Sequence, residues 1–298
     1  MNEELKALES ERKKLRKQST IITLISVFGI IGSLVIYFLY EFVVALLLFV
    51  IFTIIMLGVM GVKKSKFTNT MKDRIISQMI ISELGTNAQY YKNSGINLNE
   101  IYNLGIYQYP DRWHLEDHII AEYNGIPYEM CDAVFEERHV TRDSKGNRRV
   151  TYIKYFAGRI IKIDFKRNIN FAMKVIEGHP KGLRVNGYTG IETEVIDFNK
   201  KYNTYVTDKE KAFYFLTPVM IMKLLEIEKL FKGTIQFVLN GDCFYVFINN
   251  NTDSLEFSIK RPIDDKLINI IRSQITIGAA IINELKLDTD KFNEEVKI

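Results

Sequence analysis

Residues 21–62 read IITLISVFGIIGSLVIYFLYEFVVALLLFVIFTIIMLGVMGV, and Glu41 is their only charged residue. A single helix of 42 residues would extend about 63 Å, roughly twice the thickness of a bilayer core. The run therefore predicts a hairpin of two membrane spans, residues 21–40 and 42–62. We place the reversal at Glu41, because a charge costs far less at the headgroup level than in the hydrocarbon core.

The basic residues that flank the two spans predict the orientation of the hairpin. They precede the first span and follow the second, whereas the tip between the spans has none: Arg12, Lys13, Lys14, Arg16, Lys17, Lys63, Lys64, Lys66 and Lys72. The positive-inside rule then places both termini in the cytoplasm of a multi-pass protein of the cell inner (plasma) membrane. A cleaved signal peptide is a poorer interpretation, because the run is too long and a second span follows at once.

The composition outside the hairpin is that of an ordinary globular protein. The chain has 298 residues, 40 Lys+Arg against 36 Asp+Glu, a net charge of +4 and two cysteines. A disulfide-stapled secreted module and a disordered chain are excluded. Because acidic and basic residues are interleaved, the charge pattern also argues against a dedicated nucleic-acid binder.

We divide the chain into four segments. Residues 1–20 form a basic juxtamembrane helix, 21–62 the hairpin, 63–105 a helical connector, and 106–298 a cytoplasmic α+β domain with a possible division near 180–190. An apolar stripe predicts that a helix continues from the second span to Leu84, where Gly85 follows. The extension before the first span either pairs with this helix or lies on the anionic inner leaflet, and its apolar stripe favours pairing.

An antiparallel sheet is expected from residue 106 onwards, because the apolar pattern there alternates. Asn124-Gly125 predicts a type I′ hairpin between strands 118–123 and 126–135, with Pro127 at an edge or bulge. Further strands are predicted at 152–165, 170–176 and 191–198. A second hairpin at Asn240-Gly241 joins 234–239 to 243–248, and 254–259 adds a third strand beside it.

Helices are predicted at three places within this pattern. Thr207 and Glu210 form a capping box, Thr217-Pro218 is a cap followed by proline at the first helical position, and Pro262 opens one long last helix. The resulting fold class is α+β: a transmembrane hairpin followed by a cytoplasmic domain in which helices pack on an antiparallel sheet.

Few residues suggest chemistry. His114 and His118 are spaced as metal ligands on a helix, but Leu115 and Asp117 stand where zinc peptidases have glutamate, and a strand is predicted there. We therefore expect no metal. The spacing of Gly182 and Gly187 is that of a phosphate-binding loop, but the lysine that such a loop needs is absent. We therefore expect no cofactor. His114, His118 and Asp164 remain the candidates to test for catalysis.

A basic run, residues 138–149, separates two predicted strands. Its turn residues are typical of a solvated hairpin tip. Near an anionic leaflet, however, each Lys or Arg gains about 1 kcal/mol, so Arg142, Lys145, Arg148 and Arg149 are candidate lipid-binding residues. RNA is a poorer ligand, because the run lacks aromatic residues on which bases could stack.

Several stretches together resemble a bacterial family, domain-of-unknown-function family 3137. They are Glu116-Asp117 to Gly125, Phe156-x-Gly158 with Asp164-Phe165, Asp197-Phe198-Asn199-Lys200-Lys201-Tyr202, and Ala212-Phe213-Tyr214-Phe215-Leu216-Thr217-Pro218. The resemblance implies a two-pass membrane protein with one cytoplasmic domain, and it implies no reaction. At the second aromatic position of the family's Phe-x-Lys-x-Phe pattern, this chain has Tyr202 in place of phenylalanine.

Three functions follow from these features. The first is a membrane-anchored cytoplasmic binding or scaffold module, since the chain has an anchor, a basic hairpin and no converging catalytic groups. The second is an enzyme that acts at the inner leaflet. The third is an accessory subunit of a larger membrane complex, suggested by small residues in the spans. The expected partners are membrane lipid and either a protein partner or a second copy of the chain, with no nucleic acid.

Overall fold

The computed structural model describes residues 3–40, 43–142, 144, 146–165, 170–252 and 254–287. Two compact units make up the chain: Met1–Gln78 with Leu255–Arg272, and Met79–Ser254 with Ser273–Ile298. The predicted fold class is confirmed. Two long apolar helices come first, and an antiparallel sheet with packed helices follows, so the fold is mixed α+β.

The apolar run lies in two long helices, α1 (Glu3–Tyr40) and α2 (Val43–Met71). A π-helical turn (Lys72–Ile76) continues α2 into α3 (Ser77–Leu84), which ends where the sequence predicts. Both membrane-span candidates are long and apolar enough to cross a membrane, and only 11% of the most apolar window of each is buried. Because so much exposed apolar surface is unfavourable in water, it indicates membrane association. The predicted reversal at Glu41 lies outside the described residues.

Helices α1 and α2 pack against each other. Phe49 of α2 lies against Gly29 of α1, where a Cβ atom would overlap the ring. A Cβ atom at Gly32, Gly58 or Gly61 would meet no atom within 4 Å. Gly29 is therefore the glycine of the apolar run that permits close approach of the two helices.

A partly buried charge pair lies in the N-terminal part of α1. Arg12 Nε donates to Glu9 Oε2 at 2.7 Å, and Arg12 Nη1 donates to the Ile259 carbonyl at 2.7 Å. Glu9 Oε2 also accepts the backbone N–H of Ile263 at 2.8 Å. These hydrogen bonds, chiefly that from Arg12, lower the pKa of Glu9 to about 2. They fasten residues 259–263 to α1.

The strand predicted at 254–259 is wrong. Leu255, Phe257 and Ile259 are buried at alternating positions, yet this segment forms turns and irregular structure. The Thr68 hydroxyl donates to the Phe257 carbonyl at 3.4 Å, and Arg12 donates to that of Ile259. Side chains of the helices thus bond carbonyl groups that a β-ladder would otherwise pair, so the alternation reflects burial alone.

The second unit contains one antiparallel sheet, whose nine strands within the described residues lie in the order β1-β2-β3-β4-β9-β8-β5-β7-β6. They are β1 (Gln89–Tyr91), β2 (Arg112–Tyr123), β3 (Ile126–Arg142), β4 (Arg148–Asp164), β5 (Ala172–Glu177), β6 (Thr189–Ile191), β7 (Tyr202–Val206), β8 (Thr234–Asn240) and β9 (Cys243–Asn249). The strands β3 and β4 are the longest, at 17 residues each.

Turn chemistry explains both predicted hairpins. Asn124 and Gly125 have φ values of 49° and 78°, as a type I′ turn requires, and join β2 to β3 as predicted. The β8–β9 turn is Gly241-Asp242, one residue later than predicted, because Asn240 pairs with Cys243. Pro127 lies in an interior strand rather than an edge strand. It precedes the first residue of β3 that pairs with β4, so its missing N–H removes no bond of that ladder.

Both faces of the sheet contribute buried residues in its central part, the aromatic core on one face and the Asp132/Arg159 pair on the other. One face packs around α4 (Leu98–Asn103) and the Tyr107 loop, with Phe135, Phe156 and Phe247 in the core. On β3 and β4, Asp132 and Arg159 are buried opposite each other, with Arg159 Nε 2.8 Å from Asp132 Oδ1. Arg159 Nη1 also donates to the Gln274 carbonyl at 2.6 Å, and Asp132 Oδ2 accepts the Ser254 N–H at 2.9 Å.

Five further helices complete the described fold: α5 (Ile196–Lys201), α6 (Lys209–Phe215), α7 (Pro218–Lys229), α8 (Asp265–Ile275) and α9 (Ile277–Leu285). The Thr217 cap before Pro218 is confirmed. Three predictions are wrong. Asp208 rather than Thr207 caps α6, because the Thr207 hydroxyl bonds to the Ala172 carbonyl. The predicted strand 191–198 is mostly loop and the start of α5, and the predicted last helix is divided in two at Thr276.

Candidate functional site

The β3–β4 hairpin extends beyond both neighbouring strands. β2 pairs with β3 only as far as Glu136, opposite Arg112, and β9 pairs with β4 only from Gly158. Beyond these points β3 and β4 pair with each other alone, from Glu137 opposite Ile153 to Arg142 opposite Arg148. We call residues 136–142 and 148–154 the ribbon. At a strand rise of about 3.3 Å per residue it is roughly 20 Å long.

The pairing register sorts the side chains of the ribbon onto two faces, because successive residues of a strand point to opposite sides. One face carries four cross-strand pairs, Glu136/Lys154, Arg138/Tyr152, Val140/Val150 and Arg142/Arg148, and we call it the basic face. The other, the opposite face, carries Glu137/Ile153, His139/Thr151 and Thr141/Arg149. The sequence prediction treated both faces as one basic loop.

Four cations of the basic face have no carboxylate partner among the described residues: Arg138, Arg142, Arg148 and Lys154. The single acid of this face, Glu136, pairs with Arg112, whose guanidinium lies 4.4 Å from the centre of the Tyr152 ring. Like charges directly opposite each other destabilise a β-ladder. The Arg142/Arg148 pair is therefore a position that an anion would stabilise.

The opposite face is close to neutral by comparison. Glu137 forms ion pairs with Lys181 and His139, the latter at 2.6 Å. The hydrogen bonds from Lys181 and His139 lower the pKa of Glu137 to about 2, so its carboxylate stays charged. Arg149 is the one cation of this face, other than the partners of Glu137, among the described residues.

The predicted lipid-binding residues are thus divided by the structure. Arg142 and Arg148 lie together on the basic face, Arg149 lies on the opposite face, and Lys145 is outside the described residues. Sequence reasoning missed Arg138 and Lys154, which share the basic face. The alternation Arg138-x-Val140-x-Arg142 was the signal that could have identified Arg138, since alternate residues of a strand share a face.

The three candidate catalytic residues do not form one site: His118 and Asp164 belong to one network of ion pairs, and His114 lies outside it. His118 Nε2 lies 2.7 Å from Glu129 Oε2, Glu129 Oε1 lies 3.1 Å from Lys162 Nζ, and Lys162 Nζ lies 3.9 Å from Asp164 Oδ1. A charged network therefore connects His118 with Asp164.

His114 is not part of that network. It lies opposite Val134 on β3 and 3.3 Å from Glu116, whereas Ile163, the neighbour of Asp164, lies opposite Tyr128. Six residues along β3 separate these positions by about 20 Å. His114 and Asp164 consequently cannot serve one reaction centre in this arrangement.

The contacts of this network favour a protonated amine on Lys162 and a protonated thiol on Cys243. Burial lowers the pKa of Lys162, but the hydrogen bonds to Glu100 and Glu129 outweigh it and raise the pKa overall. Burial, reinforced by Asp164, raises the pKa of the Cys243 thiol, which donates to Asp164 Oδ1 at 3.0 Å. A charged amine and a protonated thiol are poor nucleophiles, so neither Lys162 nor Cys243 is activated for covalent catalysis.

A metal centre has no ligand set in the described part of the chain, where no three His, Cys, Asp or Glu residues are grouped suitably. The bulge at Asp117, which has a φ of 55°, separates His114 from His118 on β2. The absence of a metal therefore stays a prediction for elemental analysis.

The family resemblance is confirmed by comparison with family models. Residues 154–287 match the family described as Protein of unknown function (DUF3137). The matched segment begins in β4 and does not include the two apolar helices. In Phe156-x-Gly158, one of the stretches that carry the resemblance, Gly158 has a φ of 154° and lies where a Cβ atom would overlap the Ile248 carbonyl.

The comparison with curated proteins gives no match. Among solved structures, the chain is similar to the crystal structure of the mycobacterial trehalose monomycolate transport factor A, TtfA. The two share 9% identity over 71% of this chain and 96% of that chain, with a TM-score of 0.37. A likeness at that level carries no argument about fold or function.

Proposed function

We propose that this protein is a membrane-anchored binding module whose ribbon contacts anionic lipid at the cytoplasmic surface of the membrane that holds α1 and α2. Both termini are cytoplasmic and the hairpin tip at Glu41 is outside, in accordance with the basic residues that flank the spans. The proposal depends on the pair Arg142/Arg148, whose guanidinium groups have no carboxylate partner within the described part of the chain.

Tethering strengthens the proposal on physical grounds. A module joined to a membrane meets that membrane at a high effective concentration, so a contact too weak to recruit a free protein becomes populated. Each Lys or Arg near an anionic leaflet contributes about 1 kcal/mol, and the attraction fades within a Debye length of about 10 Å at 0.1 M salt. The exposed cations at the end of the ribbon gain this attraction once the ribbon comes within that distance of the headgroups.

The test uses the full chain in lipid nanodiscs. A fluorophore on Ser144→Cys, at the turn between β3 and β4 and in a Cys243→Ser background, reports contact with brominated lipid by quenching, while Cys131 is fully buried and does not react. We expect quenching in discs that contain phosphatidylglycerol, little in phosphatidylcholine alone, and loss of the difference at high salt. Replacing Arg142, Lys145, Arg148 and Arg149 together by Gln should abolish it. Equal quenching in neutral discs would contradict the proposal.

A second candidate function is an accessory subunit of a larger membrane complex, or a self-associating protein. One observation favours it: Gly32, Gly58 and Gly61 face open space within the described helices, where another helix could approach closely. Cross-linking of the full chain in native membranes tests it. A cross-linked species of defined mass that Gly58→Leu removes would support it, and monomer alone would count against it.

The enzyme alternative has no comparable observation in its favour. Its candidate residues His118 and Asp164 lie in a network of ion pairs, and His114 lies about 20 Å away along the sheet. We therefore propose a binding function for the chain and assign it no reaction.

A further inference from the structure

We propose that only the basic face of the ribbon meets the membrane, and that Arg142 and Arg148 hold the phosphate of an anionic phospholipid between them. This inference rests on the proposed function and adds to it a face, a ligand group and two further residues, Arg138 and Lys154. It also excludes Arg149 from the lipid contact.

The charges of the basic face support the phosphate assignment. Residues directly opposite in a β-ladder have Cβ atoms about 5 Å apart, so Arg142 and Arg148 extend side by side from the end of the ribbon. A phosphate carries several acceptor oxygens and can receive N–H groups from two guanidinium groups at once. Arg138 and Lys154 add positive charge along the same face, where it attracts further headgroups.

The apolar residues of the basic face favour lipid over other polyanions. Val140 and Val150 lie opposite each other between two layers of cations, and they are 44% and 40% exposed. An arginine keeps its charge at the headgroup level while its stem and its apolar neighbours reach the acyl boundary. A nucleic acid would leave these valines without an apolar partner, and the one aromatic residue of this face, Tyr152, already has Arg112 over one side of its ring.

The opposite face is unsuited to the same contact. The carboxylate of Glu137 lies there and stays ionised, since Lys181 and His139 hold its pKa at about 2. Because Lys181 and His139 pair with that carboxylate, this face has little net positive charge with which to attract anionic headgroups. Ile153 is 51% exposed on this face, so the two faces differ in charge far more than in apolar exposure.

A matched pair of charge removals tests the inference in full-chain nanodiscs that contain phosphatidylglycerol. Arg142→Gln and Arg149→Gln remove the same charge from neighbouring exposed positions of one hairpin, on opposite faces. At about 1 kcal/mol per contact, Arg142→Gln should lower the ratio of engaged to free ribbon about fivefold. Arg149→Gln should change it less than twofold. Equal effects of the two substitutions would overturn the assignment of a face while leaving the proposed function intact.

A second readout depends on position rather than charge. Fluorophores on Val150→Cys and Ile153→Cys, each in the Cys243→Ser background, lie on opposite faces of the same strand. Brominated phosphatidylglycerol should quench the Val150 label strongly and the Ile153 label weakly. The reverse order would overturn the inference. No quenching of either label, with none at Ser144→Cys in the turn, would count against the proposed function itself.

Competition distinguishes lipid from other sources of phosphate. Inorganic phosphate at millimolar concentration should leave the quenching of the Val150 label nearly unchanged, because a free ion lacks the acyl contact. Displacement by inorganic phosphate would instead indicate a site for a soluble anion. A response of the label to single-stranded RNA in neutral discs, without a response to phosphatidylglycerol, would indicate a nucleic-acid site and overturn the lipid assignment.

Discussion

Removing Arg159 should destabilise the sheet unit severely. The side chain is 2% exposed and binds Asp132 through two nitrogen atoms, at 2.8 and 3.2 Å. Arg159→Met leaves the buried carboxylate with the Ser254 N–H and no countercharge, and it frees the Gln274 carbonyl. Breaking one side of a buried ion pair costs about 3–5 kcal/mol.

The expected shift in melting temperature follows from the size of this unit. For a domain of about 200 residues, each kcal/mol corresponds to about 2–4 °C, so Arg159→Met should lower the melting temperature by about 6–20 °C. The emission of Trp113, the only tryptophan of the chain, reports this transition in the detergent-solubilised protein.

Arg149→Gln provides the control, because Arg149 is an exposed arginine of the same strand and its loss should cost less than about 0.5 kcal/mol. Equal shifts for the two variants would refute the reasoning, since the buried pair would then contribute no more than a solvated side chain.

Three further predictions concern the first unit and the metal content. The pKa of Glu9 lies at about 2 when folded and near 4.5 when unfolded, so its stabilising effect is present above pH 4.5 and is lost as the pH falls towards 2; the melting temperatures of the wild type and Glu9→Gln should converge over that range. Gly29→Leu should separate α1 from α2 at Phe49 and weaken their packing in a cross-linking assay, whereas Gly32→Leu should not. Elemental analysis of the purified chain should find no stoichiometric zinc, and about one zinc per chain would restore the enzyme hypothesis.

Local sequence signals predicted much of the fold. Asn124-Gly125 fixed a hairpin because a type I′ turn needs two residues that tolerate positive φ, and Thr217-Pro218 fixed a helix start. Both signals act within a few residues of the chain. The apolar run of residues 21–62 was equally informative, because its length and lack of charge constrain any structure that it can form.

Features that depend on distant pairing could not be predicted in the same way. The alternation at Leu255, Phe257 and Ile259 is typical of a strand, but the carbonyl partners of this segment are side chains such as Arg12, more than 240 residues away. The burial of Arg159 likewise depends on Asp132 and Gln274, which the sequence does not bring together.

Part of the surface on which we place the candidate site could be predicted from the sequence. The basic run was recognisable from composition, and it supplied Arg142 and Arg148 as candidates, whose binding of lipid stays a prediction. Arg142 and Arg148 lie on a different face from Arg149 because the strands continue through residue 142, where the sequence favoured a solvated tip. The assignment of faces also depends on a pairing register that shifts once, between Phe135 and Glu136. Alternation within each strand contained the information, but only the register shows which residues of the two strands share a face.

Hydrogen exchange of the full chain, measured in nanodiscs with and without phosphatidylglycerol, tests whether the ribbon binds anionic lipid without any label or substitution. Beyond Glu136, which still pairs with Arg112 of β2, the two strands of the ribbon pair only with each other. Isolated two-stranded ribbons open readily, so these amides should exchange fast when the ribbon is free. We predict that phosphatidylglycerol slows exchange in residues 136–142 and 148–154 and leaves β8 and β9 unchanged. Identical exchange of the ribbon in both kinds of disc would contradict the proposed function.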